Sequence, residues 1–483
     1  MMELRDYVSY DGAGLAELIN KGDVSAPEVA DAATRAIIAT NDKINAVNNH
    51  WRAAEAGSSS QELGTVFKGV PFLIKDLAVS MIGKPSELGS RLAQGMIADA
   101  DSHLMTLFRK AGLITLGRTT TPELAISTTT EAVFDGPTRN PWNPDYNSGG
   151  SSGGAGAAVA AGMVPLAHAT DGGGSIRVPA SVNGLFGMKP TRGRVSNGPA
   201  IDEGWNGMVT QLGVSRSVRD SAILLDAISI PQIGEPYYIA TPHRSFAASV
   251  TTHPRKLRIG TMMAPLNGGN VAPEVRKAFE DTMKLCADLG HDVEHAPLDP
   301  GISWQAFVTA NARIWNVNTA AWIDLIASLT GRDISDAYLE PASLAVYHHG
   351  KTVSGTDMVE ALGLRNAVTR AFGAYFQKYD LLLTPTLPTL PLRIGEYNKI
   401  QCEPDGHGWI SHVFDQSPYT ALANVTGVPS MSVPLAQDNH SHLPIGSMFT
   451  APFGDETTLF ELAGQLERAA PWIERKPEIW AGE

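Results

Sequence analysis

The chain has 483 residues, of which 43% are hydrophobic and 18% are charged, and this apolar content suffices for a large buried core. Its 50 acidic residues outnumber its 37 basic ones and give a formal net charge of −13, which disfavours a nucleic-acid-binding surface. Only two cysteines are present, Cys286 and Cys402, so a disulfide framework and a cysteine zinc site are both excluded.

The N-terminal segment has no apolar core of a signal peptide, and no run of 18 apolar residues occurs, so we expect a cytoplasmic protein without a membrane partner. The sequence Ser25-Ala26-Pro27-Glu28 has the S-x-x-E form of a capping box and predicts the start of a helix. The apolar run at residues 70–74 predicts a buried strand that ends at Lys75. Further predicted elements are a helix over residues 103–110 that ends at Gly112, a strand at 113–116, a small-residue helix at 155–162, a strand at 256–260, a helix over 273–289 that ends at Gly290, and strands at 380–385 and 430–434.

This alternation of strands and helices indicates an α/β fold, with a large mixed central sheet flanked by helices. No linker is visible, and we predict a single domain over residues 1–483. Its predicted parts are an N-terminal helical layer (1–62), a central core (63–229), a largely helical variable region (230–370) and a C-terminal return to the core (371–483). Aromatic residues of the variable region either line an apolar pocket over the site or pack as ordinary helix core; they are Trp304, Phe307, Trp315, Trp322, Tyr338 and Tyr347.

A run of glycines precedes a candidate nucleophile. Gly172, Gly173 and Gly174 lack Cβ atoms, so the backbone can present successive N–H groups as an oxyanion hole for a reaction at Ser175. The alternative interpretation is a glycine turn with an incidental serine.

A second glycine- and serine-rich fragment covers residues 149–154. It matches the nucleophile-elbow pattern G-x-S-x-G around Ser151, although its composition alone produces that match and a loop, not an apolar strand, precedes it. A dinucleotide-binding interpretation fails, because Val159 stands where that pattern requires a small residue.

Lys75 is a candidate base. A lysine accepts protons near neutral pH only if burial lowers its pKa from about 10.4. The alternative interpretation is a structural ion pair with the adjacent Asp76.

In this order and spacing, residues 70–76, 149–154 and 170–177 resemble the amidase signature family of serine hydrolases. The resemblance is almost continuous from residue 138 to 196, and weaker similarity extends from about residue 10 to the C-terminus. It implies the amidase signature fold and a Ser–cisSer–Lys triad.

By motif position, Ser175 is similar to the family's nucleophile, Ser151 to its bridging serine and Lys75 to its general base. The resemblance also implies a cis peptide bond between Gly150 and Ser151. The chain departs from the family at Gly172, where threonine or a similar residue is frequent.

Three further residues are expected to support the site. We expect a structural hydrogen-bonding role for Ser152, and an internal hydrogen-bond network for Asp171 and Arg177 in place of substrate contact.

The implied activity is hydrolysis of carbon–nitrogen bonds other than peptide bonds, through an acyl-enzyme on Ser175. The expected partner is a small-molecule amide or carbamate, of hydrophobic, aryl or cyclic type, and esters share the chemistry. The C-terminal third of the chain, ending with residues 465–472, looks similar to bacterial hydrolases of nylon-oligomer cyclic amides and to urethanases. We expect no cofactor and no metal, because His348-His349 and the His440/His442 pair lack the spacing of a zinc site. The resemblance is compatible with a homodimer.

Three other functions stay open at this point. The first is the amidotransferase A subunit of a tRNA-dependent complex, which releases ammonia from glutamine and needs partner subunits. The second is a non-catalytic binding protein that keeps the fold. The third is a conventional α/β-hydrolase that uses Ser151 with a histidine.

Overall fold

A computed structural model describes residues 2–56 and 66–483. Residues 57–62 of the expected N-terminal layer and residues 63–65 of the expected core therefore lie outside the described residues. The helices are α1 Leu4–Ser9, α2 Gly12–Lys21, α3 Ala26–Ile44, α4 His103–Ala111, α5 Gly153–Ala160, α6 Arg177–Asn183, α7 Val218–Ile228, α8 Phe246–Val250, α9 Pro273–Asp288, α10 Trp304–Thr330, α11 Pro341–Thr352, α12 Gly355–Tyr375, α13 Gly406–Gln416, α14 Ala421–Thr426 and α15 Glu456–Ala469. The strands are β1 Val47–His50, β2 Pro71–Lys75, β3 Ile114–Thr119, β4 Glu131–Ala132, β5 Gly136–Pro137, β6 Arg139–Asn140, β7 Asn143–Asn147, β8 Leu166–Asp171, β9 Phe186–Lys189, β10 Thr210–Ser215, β11 Arg258–Thr261, β12 Asp292–His295, β13 Leu381–Pro385, β14 Ser430–Gln437 and β15 Pro444–Thr450.

Eleven strands form one sheet in the order β1-β3-β2-β8-β10-β9-β14-β15-β13-β11-β12. The pairs β2–β3, β2–β8, β11–β12 and β11–β13 are parallel, and the remaining pairs are antiparallel. This sheet confirms the predicted α/β class with a mixed central sheet.

Local signals in the sequence account for several element boundaries. In the capping box of α3, the Ser25 side chain accepts from the Glu28 backbone N–H, and the Glu28 carboxylate accepts from the Ser25 backbone N–H. Helix α4 ends at Gly112, whose φ of 92° is in the left-handed region that glycine tolerates without strain. Both boundaries are as predicted.

The N-terminal region differs in one respect from the expected helical layer. After α1, α2 and α3, the chain forms strand β1, which pairs antiparallel with β3 at the edge of the sheet. Its sequence, Val-Asn-Asn-His, has no alternation of apolar and polar residues, so no periodic signal identifies it.

Two main apolar cores lie in the described part of the chain. The larger one joins the N-terminal helices, α4, α7 and α15 to the sheet. The second is built mainly from α10, α11, α12 and α13, which we call the helical cap. The region 230–370 supplies three of these helices, and it also supplies β11 and β12 at the other edge of the sheet.

Among the described residues, no helix combines the length and the apolar character that crossing a membrane requires.

Candidate active site

The candidate base and the candidate nucleophile loop lie at the ends of neighbouring strands. Lys75 is the last residue of β2 and Asp171 is the last residue of β8. These strands are parallel, so their carboxyl ends meet at the same edge of the sheet. Residues almost a hundred positions apart are thereby brought together.

Lys75 is fully buried. Its Nζ atom lies 2.7 Å from Ser151 Oγ and 2.9 Å from Thr170 Oγ1. Burial lowers the pKa of Lys75 to about 7, although the charge of Asp171 opposes this shift. A substantial fraction of this amine is therefore neutral near pH 7.

Asp76 is not the partner of the Lys75 side chain. Its carboxylate lies 3.7 Å from Arg118 Nε, and both side chains are fully buried. The alternative interpretation of Lys75 as half of a Lys75–Asp76 ion pair is therefore wrong.

The backbone of Lys75 is held by two buried side chains. His168 Nδ1 accepts from the Lys75 N–H at 3.3 Å, and Arg118 Nη1 donates to the Lys75 carbonyl at 3.0 Å. Burial lowers the pKa of His168 to about 3, so its ring is neutral, and Nε2 lies 3.0 Å from Gln211 Oε1. These contacts position the lysine at the end of its strand.

The bridging serine follows a cis peptide bond between Gly150 and Ser151, as the family resemblance implies. A Cβ atom at Gly150 would come within 2.5 Å of the Thr129 carbonyl oxygen, which explains the glycine. Ser152 has a structural role: its hydroxyl donates to the Thr170 carbonyl and accepts from the Thr170 N–H, both at 3.3 Å. This pair of bonds connects the serine fragment to the end of β8.

The glycine run leads from β8 to Ser175, which is 7% exposed. Gly174 has a φ of 140° and donates its N–H to Asp171 Oδ1 at 2.7 Å. Its N–H is therefore occupied. Over the described chain, the N–H groups of Gly172, Gly173 and Ser175 have no acceptor.

Asp171 organises the loop from within. Besides Gly174, its carboxylate accepts from the Ile176 N–H, from Asn424 Nδ2 and from the backbone N–H and two side-chain nitrogens of Arg177. Burial alone would raise the pKa of Asp171, but Arg177 and Asn424 outweigh it and the pKa is lowered. Asp171 is therefore a buried anion, engaged by the protein and not by solvent.

Arg177 extends this network to the C-terminal part of the chain. It is fully buried, donates to the Thr420 carbonyl at 2.8 Å and reaches Asn424 Oδ1 at 2.7 Å. The loop is thus anchored to α14 and to the residue that precedes it.

An aromatic wall covers the glycine run. A Cβ atom at Gly172 would come within 2.7 Å of the Trp205 ring, and one at Gly173 within 2.7 Å of the Trp315 ring. The two indoles, which we call the tryptophan pair, have ring centroids 4.0 Å apart. Phe414 packs edge-on against Trp315, with centroids 5.3 Å apart. Trp205 therefore occupies the space that a larger side chain would take at position 172.

The sequence interpretation missed several residues around the site. Thr170 and His168 lie on β8, where strand periodicity places them among buried residues but gives no sign that they contact Lys75. Trp205 and Asn424 are distant from the motifs in sequence, and no local signal identifies them. Of the six aromatic residues noted in the variable region, only Trp315 is brought against the glycine run.

No group of three or more His, Cys, Asp or Glu side chains suited to a metal ion occurs within residues 2–56 and 66–483.

Comparisons with known proteins agree with this geometry. Residues 28–460 match the sequence profile of the Amidase family. The chain is 34% identical over 478 residues to the 6-aminohexanoate-cyclic-dimer hydrolase of Paenarthrobacter ureafaciens. The alignment covers 97% of this chain and 96% of that protein.

Two solved structures show the same architecture. The structure of a 6-aminohexanoate cyclic dimer hydrolase complexed with substrate superimposes with a TM-score of 0.92 at 33% identity, and the match covers 98% of this chain and 99% of that chain. A bacterial aryl acylamidase of the amidase signature family superimposes with a TM-score of 0.86 at 28% identity, and covers 96% of each chain.

Proposed function

Because the chain belongs to the amidase family and is a hydrolase of carbon–nitrogen bonds, we propose that it cleaves cyclic and aryl amides without partner subunits, through an acyl-enzyme on Ser175. The observation that carries this proposal is the contact between the buried, partly neutral amine of Lys75 and Ser151, beside a glycine loop with free N–H groups. Lys75 is then the base, Ser151 the relay hydroxyl and Ser175 the nucleophile, and the N–H groups of the glycine loop are the oxyanion donors.

In the first step, Lys75 Nζ takes the hydroxyl proton of Ser151, and Ser151 takes that of Ser175, as Ser175 Oγ attacks the amide carbonyl. The hydrogen bonds of the described chain include the Lys75–Ser151 contact but none between Ser151 and Ser175. Ser175 Oγ and Ser151 Oγ therefore have to come within hydrogen-bond distance when substrate binds, a tightening that is common between free and substrate-bound enzymes.

The negative charge that develops on the carbonyl oxygen is stabilised by the N–H groups of Gly172, Gly173 and Ser175. Such preorganised donors contribute about 2.7–4 kcal/mol each to transition-state stabilisation. Gly174 acts indirectly, because its N–H donates to Asp171 and sets the shape of the loop.

Collapse of the tetrahedral intermediate breaks the C–N bond, and the proton held by Lys75 returns through Ser151 to the leaving nitrogen. Water then attacks the acyl group on Ser175 with the same relay as base. The products are a carboxylic acid and an amine, which in a cyclic amide remain parts of one molecule.

The substrate class rests on the aromatic wall and on the relatives. The rings of Trp205, Trp315 and Phe414 lie beside the glycine run, which favours neutral, apolar groups next to the reacting carbonyl. The 34% identity to a cyclic-dimer hydrolase supports cyclic amides, and the aryl acylamidase supports aryl amides. Carbamates and esters pass through the same kind of tetrahedral intermediate, and we include them as secondary substrates.

The partner of this enzyme is a small-molecule amide. We also propose that the enzyme accepts a carbamate, that it forms a homodimer and that it is cytoplasmic. Light scattering of the purified protein tests the homodimer.

The decisive experiment is hydrolysis by the purified chain alone of four substrates: the cyclic dimer of 6-aminohexanoate, acetanilide, an aryl carbamate and glutamine. Ser175→Ala serves as the control for contaminating activity. We expect turnover of the cyclic dimer and the anilide, slower turnover of the carbamate, and no turnover in the variant.

Activity on glutamine alone would contradict the proposal and favour the amidotransferase subunit. Turnover that persists in Ser175→Ala but disappears in Ser151→Ala would instead favour an α/β-hydrolase mechanism. Silence on all four substrates would favour a partner-dependent amidotransferase subunit or a non-catalytic protein.

A further inference from the structure

Five tryptophans are buried in the described part of the chain, and one of them differs from the others. The indole N–H groups of four donate to backbone carbonyls at 2.7–2.9 Å; these are Trp51, Trp142, Trp409 and Trp472. Trp315 is as buried as these, at 3% exposure, yet its Nε1 has no acceptor. Buried indole N–H groups normally find a partner, so this unpaired donor requires an explanation.

The vacant donor lies beside the oxyanion loop. The Trp315 atoms nearest to the Cβ direction of Gly173 are Cζ2 and Cη2, and Nε1 is attached to the ring atom next to Cζ2. The N–H is therefore on the edge of the indole that borders the glycine run. Two aromatic neighbours of the ring, Trp205 and Phe414, offer no strong acceptor.

The scissile carbonyl does not need this donor, because the N–H groups of Gly172, Gly173 and Ser175 are free to receive its oxygen. A donor held in an apolar wall next to a complete oxyanion hole is suited to a second acceptor of the same substrate. A site that keeps a buried donor for one substrate group also discriminates strongly against analogues that lack this group.

We propose that Trp315 is a specificity-determining residue, whose indole N–H donates to a second carbonyl of the substrate, on the acyl side of the scissile amide. This inference rests on the proposed function and predicts that, among the amides this enzyme cleaves, diamides, linear or cyclic, are preferred. The stack on Trp205 holds the indole in place, and Gly173 gives it room to approach the reacting centre.

The test uses two anilides with the same leaving group and acyl chains of equal length: hexanoyl anilide, and an analogue whose acyl chain contains a second amide. Binding is measured by calorimetry to the Ser175→Ala protein, so that the result is independent of turnover. We expect the diamide to bind roughly tenfold more tightly, the effect of one hydrogen bond in a buried site.

Trp315→Phe in the Ser175→Ala background keeps the aromatic body and removes the N–H. It should abolish the preference by weakening diamide binding, while binding of the hexanoyl anilide changes less than about twofold. Trp304→Phe is the matched control, because the Trp304 N–H donates to Asp415 in an exposed position, and it should preserve the preference.

Equal binding of the two anilides to the Ser175→Ala protein would overturn the inference without the need for any Trp315 variant. A preference that survives Trp315→Phe in a folded protein would also overturn it. Hydrolysis of the anilides by the wild-type protein tests the proposed function separately, so its failure is distinguishable from the failure of this inference.

Discussion

Residues 170–177 and helix α10 meet at the active site, but they satisfy their polar groups in different ways. In the loop, Asp171 and Arg177 are fully buried and bonded to each other, to the loop backbone and to Asn424. In α10, by contrast, three buried polar atoms have no partner: Trp315 Nε1, Asn316 Oδ1 and Thr319 Oγ1. The helix is held mainly by apolar contacts in the cap.

The two ways of satisfying polar groups suit two different tasks, holding reacting atoms in place and shaping a substrate wall. A proton relay and an oxyanion hole need atoms held within a few tenths of an ångström, and a dense network of charge-assisted hydrogen bonds provides that rigidity. A substrate wall needs shape and a few vacant donors, which apolar packing can supply without filling every hydrogen-bond position. Variants in residues 170–177 and variants in α10 should therefore affect the protein in different ways.

The largest effect is expected at the chemical centre. Lys75→Ala should lower kcat by about 10⁴-fold or more, because the relay loses its proton acceptor. The protein should remain folded, since the Lys75 amine is bonded to two hydroxyl groups and to no carboxylate. Amide turnover and a thermal melt on the same sample check both statements. A melt that collapses would indicate a structural lysine.

The second effect concerns the loop network. Asp171→Asn should destabilise the protein by about 3–5 kcal/mol, because Arg177 is left as a buried cation without its counter-ion. Urea unfolding measures the loss. The matched control is Asp281→Asn, which removes an exposed ion pair with Lys277 and should leave the unfolding midpoint nearly unchanged. Equal midpoints for the two variants would show that the loop does not depend on this network.

The third effect concerns the contact between the glycine run and Trp205. Gly172→Thr introduces the residue type frequent in the family, but its Cβ would press on the Trp205 ring and should destabilise the site by about 1–3 kcal/mol. We expect kcat/KM on an anilide to fall by about tenfold. Adding Trp205→Ala should restore much of this activity, since it makes room for the threonine. If the double variant is as impaired as Gly172→Thr alone, the clash with Trp205 is not the cause.

The smallest effect is a shift of the pH profile. Since only neutral Lys75 accepts a proton, kcat/KM should rise with pH, reach half of its maximum at the Lys75 pKa of about 7 and level off at more alkaline pH. The Thr170 hydroxyl favours the charged amine by accepting from it at 2.9 Å, so Thr170→Val should lower the pKa of Lys75. The acid limb should then move to lower pH, by less than about one unit. A shift towards alkaline pH would contradict this role of Thr170.

Much of the catalytic side could be predicted from the sequence. Lys75, Ser151 and Ser175 are identified by the order and spacing of three short fragments, each of which carries its own glycines or its own strand. The helix boundaries at Ser25 and Gly112 follow from local capping chemistry. Such features are decided by residues close together in the chain, and a single sequence displays them directly.

The tertiary structure alone decided how these parts are connected. Asn424 contacts Asp171 across 253 residues, and Trp205 meets Trp315 only because the cap folds over the loop. The occupied N–H of Gly174 likewise depends on where the Asp171 carboxylate points. A partner distant in sequence leaves no local pattern, since the packing of the whole chain determines which surfaces meet. The three fragments therefore predicted the chemistry that we propose for this protein, while the fold determined which N–H groups stay free and what lies opposite them.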